Sequence, residues 1–123
     1  MAGKPQNIAH KILESHLVGG TMTPGEEIQL KVDHLLMQDA LSALTMLALE
    51  AMEQDRIKIK LACQYVDHNL FQADFRNPDD HVFLRSCCRR FGMNYSAPGN
   101  GISHPTHQER FGVPGKLLVG TDS

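Results

Sequence analysis

The hydrophobic period of this chain switches back and forth between that of a strand and that of a helix. In "EEIQLKV" (26–32), Ile28, Leu30 and Val32 recur at the two-residue period of a half-buried strand, with "DHLLMQD" as a polar sequel. From Asp39, "ALSALTMLALEAM" is rich in strong helix formers and free of Gly and Pro, which predicts a largely buried helix. "RIKIKLA" (56–62) alternates again and runs on into the polar "CQYVDHN". "NPDDHVFLRSCCRRFG" then carries a full set of helix signals. Asn77 is the expected cap, Pro78 stands in the first turn, Asp79 and Asp80 lie near the positive end, arginines fill the last turn and Gly92 terminates it.

The flanks fit the same scheme. Asn7 is placed to cap a helix through "IAHKILESHL" that ends at Gly19-Gly20. "MNYS" predicts a short strand, "APGNGISH" a loop leading to a helical turn, and "KLLVG" a last strand. Strands alternating with helices need long crossovers, and these fit a mostly parallel sheet covered on both faces. The expected fold is therefore α/β, a three-layer α/β/α arrangement, with residues 1–123 fitting a single domain.

Length and composition agree with this scheme. A chain of 123 residues with 41% hydrophobic and 21% charged residues can bury a core and lies far from the disordered class. A net charge of −2 gives no field that would draw in phosphate backbones, so no nucleic-acid partner is expected, although Arg85, Arg89 and Arg90 form a small basic cluster. No apolar run approaches the roughly 20 residues that span a bilayer, and the opening "MAGKPQNIAHK" lacks a secretory core, so no membrane partner and a cytoplasmic location are expected. The 3 cysteines, Cys63, Cys87 and Cys88, show neither disulfide pairing nor a C-x-x-C knuckle and are read as small buried hydrophobes.

Chemistry gathers where the strand-like segments end. Polar clusters around Gln38, Asp67-His68, His104 and Asp122-Ser123 each follow such a segment, and in parallel sheets ligand groups collect at the carboxyl ends of the strands. A carboxylate beside an imidazole favours the charged ring, which suits a proton donor; Asp67 with His68, and His104 with Asp122, are two such couples. As an isolated dipeptide, Asp-His is more often a surface or capping pair. In "HPTH", His104 and His107 stand three apart, as a helical metal site would need, but Pro105 biases His104 away from helical geometry and no carboxylate or thiolate accompanies them, so a single functional histidine, His104, is expected, with His107 structural. Glycine-rich phosphate cradles and a serine-nucleophile elbow are both absent from the sequence.

Read in order, "PGEEIQLKVDHLLMQDA", "YVDHN" and "PGNGISHPTHQERFGVPGKLLVGTDS" resemble the amino-terminal part of the aconitase and isopropylmalate dehydratase family of iron-sulfur hydro-lyases, and its aconitate hydratase branch above all. The resemblance runs from about Ile8 to Ser123. It implies that Gln38 and Ser123 contact substrate, that Asp67 and His68 form an acid couple near the departing hydroxyl, and that His104 pairs with Asp122. It also implies interconversion of citrate and isocitrate, with a small tricarboxylic or 2-hydroxy acid as substrate. In the family "GTDS" continues into further active-site residues, so the chain is expected to stop inside a motif. The 4Fe-4S cluster of the full-length family is held by cysteines further along, so no metal ligand and no bound cluster are expected here, and no turnover by the chain alone. Large-subunit fragments of isopropylmalate or homoaconitate dehydratase share every quoted motif. A non-catalytic remnant, acting as a binding module and associating with itself or with a missing carboxy-terminal portion, is the alternative from another class.

Overall fold

The computed structural model describes residues 5–122. Its centre is a four-stranded, wholly parallel sheet in the order β5-β4-β3-β6, formed by β3 (His34–Gln38), β4 (Leu61–Tyr65), β5 (Asn94–Ser96) and β6 (Leu118–Gly120). Three helices supply the crossovers: α2 (Asp39–Ala51), α3 (Arg76–Phe91) and α4 (Ser103–Phe111). Before the sheet, α1 (Ile8–Ser15) leads into a small antiparallel ribbon of β1 (Leu17–Gly19) and β2 (Gln29–Leu30). The α/β class and the parallel sheet agree with the sequence reading.

Alternation along the two central strands divides the core between the sheet's faces. Met37 of β3 and Ala62 of β4 pack with Met46 of α2 and with Leu84, Cys87, Cys88 and Phe91 of α3. Leu36, Cys63 and Tyr65 point the other way and meet Phe111 of α4. Helices thus cover both faces, and the three cysteines are buried packing residues. Burial pushes all three thiols up, that of Cys88 to about 12.

Helix ends follow local chemistry. The Asn7 side chain accepts the His10 N–H at 2.8 Å and caps α1 as expected. Gly92 adopts φ +76° after α3, the left-handed conformation that favours glycine at a helix end. Asn77 does not cap α3. The helix starts earlier, with Phe75 at the cap position, and Asp74 Oδ1 accepts the Arg76 N–H at 2.9 Å. Helix α1 ends at Ser15, before the expected glycines, because Leu17–Gly19 is drawn into the ribbon.

Two strands lie later in the chain than their alternation predicts. Of "EEIQLKV" only Gln29–Leu30 is extended pairing, while the supposed sequel "HLLMQ" is β3; "RIKIKLA" likewise gives way to "LACQY" as β4. A central strand of a covered sheet is buried on both faces and has no need to alternate. Helix α2 is less buried than its composition suggests. Ser42 and Met46 face inward, whereas Leu41, Leu44 and Leu47 are exposed.

Candidate active site

Register brings the polar clusters together. Gln38 ends β3 opposite Tyr65, and Tyr65 lies opposite Ser96, so the segments after β3, β4 and β5 leave the sheet on one edge. On the other side of β3, Leu36 pairs with Gly120, which carries Thr121 and Asp122 to the same edge. Thr121 fastens this corner, donating its N–H to Leu36 O at 3.0 Å and accepting the Gln38 N–H on Oγ1 at 2.9 Å.

Ser103 is the hub. As the first residue of α4 it donates its backbone N–H to Asp67 Oδ2 at 2.6 Å, while its buried hydroxyl accepts from Gln38 Nε2 at 2.8 Å. The other oxygen of Asp67, Oδ1, lies 2.8 Å from His68 Nδ1. Gln38 Nε2 also stands 2.9 Å from His104 Nε2, and that ring nitrogen is 3.8 Å from Asp122 Oδ1. A continuous polar series therefore runs from His68 through Asp67, Ser103 and Gln38 to His104 and Asp122. The structure brings together five of the six expected residues. Ser123 lies outside the described residues.

The two ends of this series differ in character. The Asp67 side chain is 3% exposed and the His68 ring 32%. The Asp67 carboxyl is held below its ordinary range: burial opposes ionisation, but the Ser103 amide and His68 together outweigh it. His68 is raised, chiefly by its hydrogen bond to Asp67 and against some desolvation, with Asp39 adding to the attraction. At the other end, in the orientation found, the Gln38 amide nitrogen donates to His104 Nε2, which requires a lone pair there. Protonating that nitrogen would require the Gln38 amide to turn its Oε1, unpartnered as it stands, toward the ring.

Helix starts converge on the same edge. Helix α2 begins immediately after Gln38 and α4 begins at Ser103, so the positive ends of both helices start at this edge, and the Ser103 amide meets Asp67. Pro105 does not bend His104 out of α4. It occupies the first turn, where its missing N–H costs no helical bond. His107, one turn on, is 1% exposed and sits among His34, Tyr65 and Phe111, with Nδ1 3.0 Å from the Tyr65 hydroxyl. Its structural reading agrees with that placement.

Sequence reasoning passed over two members. Ser103 is buried with both polar groups engaged, and its signal was a serine at a helix start. Asp39, with its side chain 1% exposed, accepts the backbone N–H groups of Asp67, His68 and Asn69. In the sequence it only marks where the second helix begins.

Among the described residues the donor set does not suit an iron-sulfur cluster. Cys63, on β4, and Cys87 and Cys88, on α3, are buried in the cores with thiols pushed away from the thiolate form. Asp39, Asp67 and His68 do offer one ligand atom each within 4.8 Å of one another. Both oxygens of Asp39 already accept amide hydrogens, and Asp67 is committed to Ser103 and His68.

A family model described as "Aconitase family (aconitate hydratase)" matches residues 10–123. The chain is 28% identical over 138 aligned positions to the mitochondrial homocitrate dehydratase of Saccharomyces cerevisiae, covering 97% of this chain and 18% of that protein. It is 26% identical to the mitochondrial aconitate hydratase of Gracilaria gracilis, over 98% of this chain and 17% of that protein. With a probable mitochondrial aconitate hydratase of Dictyostelium discoideum the identity is 28%, over 98% and 17%. The chain thus spans about a sixth of the length of the curated relatives it matches. Their names overturn the cytoplasmic expectation. That expectation rested on composition, which cytosolic and mitochondrial matrix proteins share.

Proposed function

The chain belongs to the aconitase family, and on that premise we propose that it supplies the proton-handling rim of a hydro-lyase site that removes and re-adds water on a tricarboxylic acid. The observation that carries this reading is the hydrogen-bonded series from His68 through Asp67, Ser103 and Gln38 to His104, on one edge of a parallel sheet. In it, Asp67 fixes the His68 ring at Nδ1 and favours its charged form, so that Nε2 delivers a proton to the departing hydroxyl group. Gln38 orients His104 and reaches substrate; His104, with Asp122 beside it, serves the same hydroxyl; Ser123 contacts substrate. First-turn amides of α2 and α4 favour an anionic ligand.

Citrate and homocitrate are the substrates this reading favours. Relatives named for aconitate and for homocitrate match at nearly equal identity, and citrate and homocitrate both carry three carboxylates and a hydroxyl. The same names support a mitochondrial setting. We read residues 1–123 as one part of a larger α/β/α domain, with the family's 4Fe-4S cluster held by residues outside the segment. That cluster supplies Lewis-acid help to the departing hydroxide when bound. A general acid alone contributes roughly a hundredfold to ten-thousandfold. The chain by itself is therefore expected to bind without turning over.

The test is titration of the isotope-labelled chain with citrate, homocitrate and 2-isopropylmalate, followed by NMR. The reading expects the tricarboxylates to shift the His68 and His104 ring signals more than 2-isopropylmalate does. Absence of any ring shift at saturating tricarboxylate would overturn it, and turnover of citrate by the purified chain would overturn the inactive-alone part.

A further inference from the structure

Asp39 is the first residue of α2, yet its carboxylate serves the end of β4. Oδ1 accepts the Asp67 N–H at 3.3 Å and the His68 N–H at 3.1 Å, and Oδ2 accepts the Asn69 N–H at 2.8 Å. Three consecutive amides converging on one buried anion force the chain to curl as it leaves the strand. In a regular strand, neighbouring side chains point to opposite faces. Here the curl lets Asp67 and His68 meet at 2.8 Å.

The same carboxylate lies 3.5 Å from His68 Nδ1 and 3.8 Å from His81 Nε2 of α3. His68 therefore faces Asp67 at its own strand end and Asp39 from α2. His81 stands beyond Asp39, and α4 contributes Ser103 and His104 to the same polar series.

We infer that Asp39 is a positioning residue that shapes the 67–69 turn through its three amide bonds and so sets the His68 ring against Asp67. This rests on the proposed role of the Asp67–His68 couple and adds the group that makes the couple geometrically attainable. Both oxygens of Asp39 are taken by backbone N–H groups, and it acts through His68.

The experiment uses the unmodified chain and Asp39→Asn, with NMR hydrogen exchange and His68 ring titration as readouts. In the unmodified chain, the amides of Asp67, His68 and Asn69 are expected to exchange as slowly as those of β4, although they lie beyond the strand. Exchange as fast as in the neighbouring loop would overturn the inference, and this measurement stands even where the variant fails to fold. In Asp39→Asn, the Asn69 amide should exchange at least about tenfold faster, since an amide bond to a charged acceptor is lost. The His68 ring should titrate at lower pH than in the unmodified chain. A variant with unchanged ring titration and unchanged exchange would also overturn the inference. Neither readout involves substrate, so failure of tricarboxylates to bind would overturn the functional reading and leave these results standing.

Discussion

The backbone N–H of Ser103 donates to Asp67 Oδ2 over 2.6 Å, joining the first turn of α4 to the end of β4. One side chain thereby caps a helix and aims a histidine, because the second oxygen of Asp67 holds His68.

Asp67→Asn tests this double duty. The amide keeps an acceptor for Ser103 but loses its charge, so a cost of about 1–2 kcal/mol is expected in urea unfolding. The His68 ring should also titrate at lower pH, because Asp67 is the first cause of its raised proton affinity. An NMR titration that leaves His68 unmoved would show that the couple does not operate.

A second ion pair lies at the opposite end of the sheet. His16 Nε2 is 2.6 Å from Asp33 Oδ2, just before β3, and ties α1 and the ribbon to the sheet. The Ile12 carbonyl, followed by Asp33, raises the His16 proton affinity; the Leu117 amide, followed by His16, lowers the Asp33 carboxyl. A raised histidine contributes stability that is complete below its ordinary 6.5 and is lost as pH rises through its folded value. A lowered carboxyl contributes above its ordinary 3.8 and is lost as pH falls through its folded value. The pair therefore stabilises most in mildly acidic solution. Comparing urea midpoints of the unmodified chain and His16→Gln across pH should show the difference shrinking above neutrality; a pH-independent difference would count against the pair.

His107 separates core from chemistry. With the residue 1% exposed and bonded to Tyr65, His107→Ala should cost about 2–4 kcal/mol by leaving a cavity and an unpaired hydroxyl. His107→Phe fills the space and should cost less. Neither change should move the His68 titration, and a clear movement would bring His107 into the functional series.

The outer face of α2 carries Leu41, Leu44 and Leu47 at 46%, 74% and 55% exposure, and the edge strand β6 exposes Val119 at 47%. Exposed apolar faces and strand edges favour association. Sedimentation of the purified chain should show concentration-dependent oligomers, and Leu44→Lys with Leu47→Glu should shift the distribution toward monomer. Indistinguishable profiles would rule this face out as the contact.

Much of the architecture was legible because it rests on local rules. The start of α2 at Asp39, the stop of α3 at Gly92 and the Asn7 cap each depend on neighbours a few residues away. The strands were displaced for a reason that is equally physical. Alternation reports one wet face, so it marked "EEIQLKV" and "RIKIKLA", whereas "HLLMQ" and "LACQY" are covered on both sides and carry no such signal. The outer leucines of α2 read as core because composition does not say which side of a helix meets the sheet.

By itself the sequence determined the α/β class, the helix caps and the residue types at four strand ends, since propensity, capping and motif order are properties of nearby residues. Only the tertiary structure decided that Ser103 would join Asp67 to Gln38 and that Asp39 would gather three amides from another strand's end. Those bonds span dozens of residues, and what fixes them is parallel register: which strand ends lie side by side is set by packing of the whole sheet.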